Sequence, residues 1–355
     1  MKITIKGYII CKEAENYSDC ADSYAFNSEK NRFAISDGVT KSFFPKIWSK
    51  ILVDNFVALD GETELCIENC QTEWLNKVTE KVNTPETKWF TKNAFNRREP
   101  GLATFVSLYF LGKKWFAKAL GDSFLFFIPR RKENYFDDWI KFSSKSEPEP
   151  VFDNFPDYYS SIGEIAHGEV KSKKGELKPG TFYLMTDALA EWVFKEKEKA
   201  LEEIQEEWKD QNKFKSSVIK LRTSHMLNND DSSVLIIDIE DDGSGEYHYG
   251  DVNVTKIEDL IETEEKLGAK KEPFITEIFK NSKEMRISEL DTENCEKEMK
   301  LSVNAEKVYK KCKWFAKSYK KALQCIENKI KQAPENEQNL IKEKLKKEYG
   351  ISFKN

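Results

Sequence analysis

The chain has 355 residues, room for one large domain with an appendage or for two domains. Hydrophobic residues at 39%, with 24 Phe, 13 Tyr and 8 Trp, can fill a core and exclude disorder along the whole length. The formal charge of −5 gives no reason to expect nucleic acid as a partner. His167, His225 and His248 lie far apart, which argues against a histidine-based zinc site and a Ser-His-Asp triad.

Seven cysteines (Cys11, Cys20, Cys66, Cys70, Cys295, Cys312, Cys325) are scattered, and none forms a CxxC pair. The start MKITIKGYIICKE has a lysine inside a short strand-like run, unlike a secretory signal. No apolar stretch approaches the ~20 residues that cross a bilayer. A cytoplasmic protein with reduced thiols and no membrane contact is expected.

The first elements read as strands over 3–11, 23–27 and 31–36. A helix follows over 45–58, with Pro45 in its first turn and Ile47, Ile51, Leu52 and Phe56 on one face. Residues 68–82 form a more polar helix. Strands are expected over 102–111, 114–120 and 122–128, the first two joined by a hairpin at Leu-Gly-Lys-Lys. Residues 131–180, with Pro148, Pro150, Pro156 and Pro179, read as loops around short strands. A buried strand over 181–186 leads into a helix from Ala188; helices over 193–208 and 211–224 precede a last strand over 233–239.

EDDGSGEYHYG, at 240–250, reads as a boundary. It divides a domain over 1–241 from a charged, mostly helical extension over 242–355. Within the extension, 301–331 carries Ala305, Val308, Cys312, Phe315, Tyr319, Ala322 and Ile326 at three- and four-residue spacing. That stripe suits either packing on neighbouring helices or a coiled coil with a second copy or a protein partner. Trp314 and Phe315 read as packing residues, as do Trp48 and Trp192 in the domain.

Acidic residues stand at strand ends. Asp37 follows RFAIS and precedes Gly38; Asp122 follows WFAKALG; Asp187 follows TFYLMT; Asp230 and Asp231 precede SSVLII; Asp22 opens SYAF. Each has an ordinary reading as a turn, a helix cap or a solvated loop. Together they could converge, and carboxylates that converge repel one another unless protons or cations intervene. Oxygen donors without His or Cys favour Mg²⁺ or Mn²⁺ over zinc.

In order, these segments resemble the motifs of the PPM (type 2C) metal-dependent Ser/Thr protein phosphatase superfamily, bacterial branch, over roughly 1–240. The matching stretches are CADSYAF, FAISDGVTKSFFPKIWSKILVDNF, GLATFVSLYF with KWFAKALGDSFLFF, FYLMTDALAEW and LNNDDSSVLII. The resemblance implies an α+β fold, a four-layer α/β/β/α sandwich of two antiparallel sheets flanked by helices. It implies that Asp37 bridges two Mn²⁺ or Mg²⁺ ions and Gly38 offers its carbonyl, with Asp187 and Asp230 completing the first ion's shell. Asp122 would sit near a third, weaker ion, and Asp22 would hold metal-bound water. A metal-bridging hydroxide would attack phosphoserine or phosphothreonine on a protein, the product of a cognate Ser/Thr kinase.

Two positions depart from the pattern. Ala21 replaces a Glu or Gln, and Tyr17 stands where the eukaryotic enzymes carry a phosphate-binding Arg. Lys41, Arg97 and Arg98 are candidates to compensate, each with an alternative as surface charge, so the phosphate-binding residue is open. His225 is a candidate leaving-group acid with the same surface alternative. A catalytically silent sensor or scaffold of the same fold, and a hydrolase of small phosphate esters, are the rival functions.

Overall fold

The computed structural model describes residues 1–131, 134–145, 150, 152 and 156–266. The chain divides into two compact units, Met1–Phe274 and Ile275–Asn355. The second, with the 301–331 stripe, Trp314, Phe315, Cys295, Cys312 and Cys325, lies outside the described residues.

The first sheet is built on β1 (Lys2–Ile10), paired with β13 (Ser232–Glu240). It continues antiparallel through β12 (Gly180–Met185) and β7 (Phe124–Pro129) to β8 (Ile140–Phe142). On its other side β1 pairs in parallel with β14 (His248–Val254). The second sheet runs β2 (Ser23–Asn27), β3 (Arg32–Ser36), β5 (Phe105–Leu111), β6 (Lys114–Leu120), β11 (Lys171–Glu176). A third, small sheet joins β4 (Leu102–Ala103), β9 (Tyr158–Ser160) and β10 (Ala166–His167).

The alternation of side chains along each strand assigns the layers. In β13, Leu235, Ile237 and Ile239 face the second sheet, where they meet Phe33, Ile35, Val106 and Leu108. Val234 and Ile236 point the other way, onto α4 (Asp187–Glu196), α5 (Glu198–Glu207) and α6 (Gln211–Thr223). β12 divides likewise: Phe182 and Leu184 lie between the sheets, Tyr183 and Met185 under the helices. The outer face of the second sheet is covered by α1 (Pro45–Val57) and α2 (Ile67–Val82), through Trp48, Leu52, Phe56, Trp74 and Val78. This is the four-layer α/β/β/α sandwich that the resemblance implies. Trp48 donates to the Tyr159 carbonyl at 2.8 Å and Trp192 stacks on Trp208, so both are core residues.

Several elements differ from expectation. The strand expected over 102–111 breaks at Thr104, which sends β4 into the small sheet. The helix expected over 193–208 breaks at Lys197, whose φ of 54° lies in the left-handed region and separates α4 from α5. A short helix, α3 (Trp89–Asn96), had no signal strong enough to be read.

The boundary expected at 241 falls inside the first unit. Beyond it, β14 extends the first sheet, and a helix over 257–266 (α7) follows. Ile257, Leu260 and Ile261 of α7 pack on Ile9, Cys11, Tyr17 and Cys20. The Glu264 carboxylate accepts from the Tyr17 backbone N–H at 2.8 Å. Among the described residues Cys11, Cys20, Cys66 and Cys70 are free thiols, and no helix is long and apolar enough to cross a membrane.

Ending the chain at 241 removes these contacts, while ending it at 274 keeps them. Losing three half-buried aliphatic side chains costs about 3 kcal/mol, which corresponds to a melting temperature lower by roughly 10 °C. Thermal unfolding of the two truncated chains is expected to show that gap; equal melting temperatures would mean that β14 and α7 add nothing to the domain.

Candidate metal centre

Strand register brings the aspartates together. In the second sheet Ser23 pairs with Ser36, Ile35 with Val106 and Phe105 with Leu120, so Asp22, Asp37 and Asp122 emerge at one edge. In the first sheet Met185 pairs with Val234, which places Asp187 beside the start of β13 with Asp230 and Asp231. The two edges are linked where the Thr186 hydroxyl donates to Asp22 Oδ2 at 3.0 Å. The same hydroxyl accepts from the Ser233 backbone N–H at 3.0 Å.

A second threonine organises the other side. Thr104, at the break between β4 and β5, donates its N–H to the Asp37 carbonyl at 2.9 Å. Its hydroxyl accepts from the Asp37 N–H at 3.3 Å and lies 2.7 Å from the Ser123 hydroxyl. Two glycines permit these close approaches. A Cβ on Gly38 would fall 2.8 Å from the Ala21 carbonyl and 2.9 Å from Pro45 Cβ. Gly121, at φ +100°, leads into Asp122, and a Cβ there would fall 2.6 Å from Thr104.

The electrostatics are those of crowded carboxylates. Asp22 and Asp122 are buried, and Asp37, Asp187 and Asp230 are half-buried. Burial, then Asp187, Asp22, Asp122 and Asp230, push the Asp37 carboxyl well above the usual range. Burial, then Asp231, raise Asp22 strongly, and its Oδ1 is buried with no hydrogen-bond partner. Asp187 is pushed up to about 7, by burial first and Asp230 next. Among the described residues, no three His, Cys, Asp or Glu side chains are spaced as a ready-made metal cage. The donor set still fits a hard divalent cation. It is all oxygen, its carboxylates raise one another's proton affinity, and it includes one buried oxygen without a partner.

Asp230 and Asp231 divide their work. Asp231 is buried, and its two oxygens accept from the backbone N–H groups of Lys12 at 2.9 Å and Ala21 at 2.8 Å. It thereby fastens both ends of the 12–21 loop. Asp230 is half-buried, and Lys12 Nζ lies 2.8 Å from its Oδ1. The same ammonium donates to the Thr40 hydroxyl at 2.6 Å, reaching the segment that follows Asp37. Burial works to lower the Lys12 ammonium's pKa, but the bond to Asp230 and the charges of Asp230, Asp231 and Asp37 outweigh it. Arg222, on α6, donates to the carbonyls of Cys11 and Asp230 and to the Ser232 hydroxyl, tying the same two segments.

The remaining sequence candidates are surface or core residues. Tyr17 is buried in the cluster under α7. Lys41 and Arg98 are exposed, and Arg97 is exposed and paired with Glu99 at 2.6 Å. His225 is exposed just beyond α6, with φ 60°. Sequence reasoning missed Lys12. Its only signal is that Ile10 pairs with Ser232, so continuing the antiparallel register sets Lys12 opposite Asp230.

No family model and no curated protein matches the chain. Among solved structures it is similar to PppA, a key regulatory component of T6SS in Pseudomonas aeruginosa. That similarity is 17% identity over 67% of this chain and 98% of that one, with a TM-score of 0.44. It is also similar to the catalytic domain of the serine threonine protein phosphatase PstP in complex with 2 manganese ions: 15% identity, 67% and 99% covered, TM-score 0.42. The S. agalactiae serine/threonine phosphatase matches at 12% identity, over 67% of this chain and 100% of that one, with a TM-score of 0.42.

Asp187 makes stability depend on pH in a known direction. A carboxyl whose pKa is higher folded, about 7, than unfolded, about 3.8, stabilises the fold at low pH and loses that contribution as pH rises through this window. In a chelating buffer, Asp187→Asn is expected to match wild type near pH 4 and to exceed its urea midpoint above pH 7. A wild-type advantage that grows with pH would contradict the crowding at Asp187.

Proposed function

We propose that the chain is a PPM-type, metal-dependent phosphatase that hydrolyses phosphoserine and phosphothreonine on proteins. One observation carries this reading: four aspartates from separate strand ends all act on Asp37, at the edge where the two sheets meet. Asp37, Asp187 and Asp230, with the Gly38 carbonyl, would hold the principal ions, and Asp122 with Asp187 a further one. Two or three Mn²⁺ or Mg²⁺ ions, when bound, would lower the pKa of the attacking water and offset charge on the phosphoryl oxygens. Asp22 would orient water through its unpartnered Oδ1. Lys12, between Asp230 and Thr40, is the cation at hand for a phosphoryl oxygen, the role left open by Tyr17.

The substrate is a protein rather than a small ester on the strength of the motif resemblance. A silent scaffold of the same fold is the second reading, favoured by Ala21 and by Tyr17 turning into the core.

The test is hydrolysis of a phosphothreonine peptide with Mn²⁺, comparing wild type with Asp37→Asn. Turnover that needs Mn²⁺ and falls at least about 100-fold in the variant is expected, since removing one group that stabilises the transition state typically costs on that order. Turnover confined to small phosphate esters would replace the protein substrate. Absence of both turnover and Mn²⁺ binding would favour the silent scaffold.

A further inference from the structure

Lys12 bridges two segments that carry candidate metal ligands. Its ammonium is 2.8 Å from Asp230 Oδ1 and 2.6 Å from the Thr40 hydroxyl. Its side chain is 14% exposed and that of Asp230 42%, so water screens the pair only in part. Its position is fixed from below as well, because its backbone N–H is held by Asp231 at 2.9 Å. The loop it belongs to is further tied by Arg222 at the Cys11 carbonyl and by Glu264 at the Tyr17 N–H. The ammonium is therefore carried by a braced segment, and Asp230 Oδ1 already serves two donors, Lys12 and the Asp231 N–H at 2.8 Å.

A divalent cation that takes Asp230 as a ligand meets this positive charge at the same oxygen. It must displace the ammonium from Oδ1 or share the carboxylate with it, and either raises the free energy of the bound ion. We propose that Lys12 competes with the divalent cation for Asp230 and so sets the metal concentration at which the site fills. The inference rests on the phosphatase reading of the site and adds a device to it. An ammonium released from Asp230 remains tethered beside Thr40, where it can turn to an anionic substrate. Filling the metal site and freeing the phosphate-binding cation are then one event.

The experiment is calorimetric titration of the full chain with Mn²⁺, for wild type, Lys12→Met, Lys12→Arg and Asp37→Asn. Urea unfolding of each protein confirms that it is folded, and Lys12→Gln replaces Lys12→Met if the latter is not. Lys12→Met is expected to bind Mn²⁺ about tenfold more tightly than wild type, with Lys12→Arg within about threefold of wild type because it keeps the charge. Asp37→Asn is expected to lose most of the binding. Affinity unchanged or weakened in Lys12→Met would overturn the competition and leave the phosphatase reading standing. Tightening by Lys12→Arg as large as that by Lys12→Met would also overturn it, since charge would not be the cause. Failure of wild type and Lys12→Met alike to bind Mn²⁺ would overturn both.

Discussion

Mutual repulsion among aspartates gathered at the facing edges of two sheets is the constraint around which this domain is built. Asp22, Asp37, Asp122, Asp187 and Asp230 each stand at a strand end, and each strand is driven to that place by burial of its alternating apolar residues. The sandwich supplies the driving force for folding, and this crowding opposes it. A site that raises its own carboxyl pKa values stores a preference for cations.

The site holds its shape through uncharged groups placed between the charged ones. Thr186 joins Asp22 to the start of β13, and Thr104 joins Asp37 to the segment that carries Asp122. Hydroxyls suit these positions because they both donate and accept: Thr186 bridges a backbone N–H to a carboxylate, and Thr104 a backbone N–H to a hydroxyl, without adding charge. Gly38 and Gly121 let main chains approach more closely than a side chain would allow. Asp231 spends both its oxygens on the 12–21 loop, which leaves its neighbour Asp230 to pair with Lys12. That loop is in turn backed by α7, so a segment remote in sequence supports the loop that Asp231 holds.

Much of the fold was legible in the sequence, for local reasons. β1, β3, β7, β12 and β13 are dense in Ile, Leu, Phe and Tyr, and α1 shows a helical apolar face behind Pro45. β14 was not legible. HYGDVNV is a sparse, mostly exposed edge strand that pairs with β1, more than two hundred residues earlier, and packs Tyr249 and Val254 on the core. The break at Thr104 was hidden likewise, because LATFVSLYF reads as one continuous strand until its first residues are claimed by another sheet. In α4 and α5, Lys197 offers no Gly or Pro to mark the left-handed turn that separates them.

The sequence alone determined which residue types stand at the strand ends: carboxylates, with few histidines and no CxxC thiol pair, a set that suits hard cations better than zinc. It also determined the strands and most helices, since hydrophobic period is a local property of the chain. The tertiary structure alone decided which charges meet. Tyr17 went into the core, Asp231 became a brace, and Lys12 was set against Asp230 by a register formed across more than two hundred residues. Long-range pairing decides these matters because a charge's partner is fixed by distance in space, and local propensity carries no information about that distance.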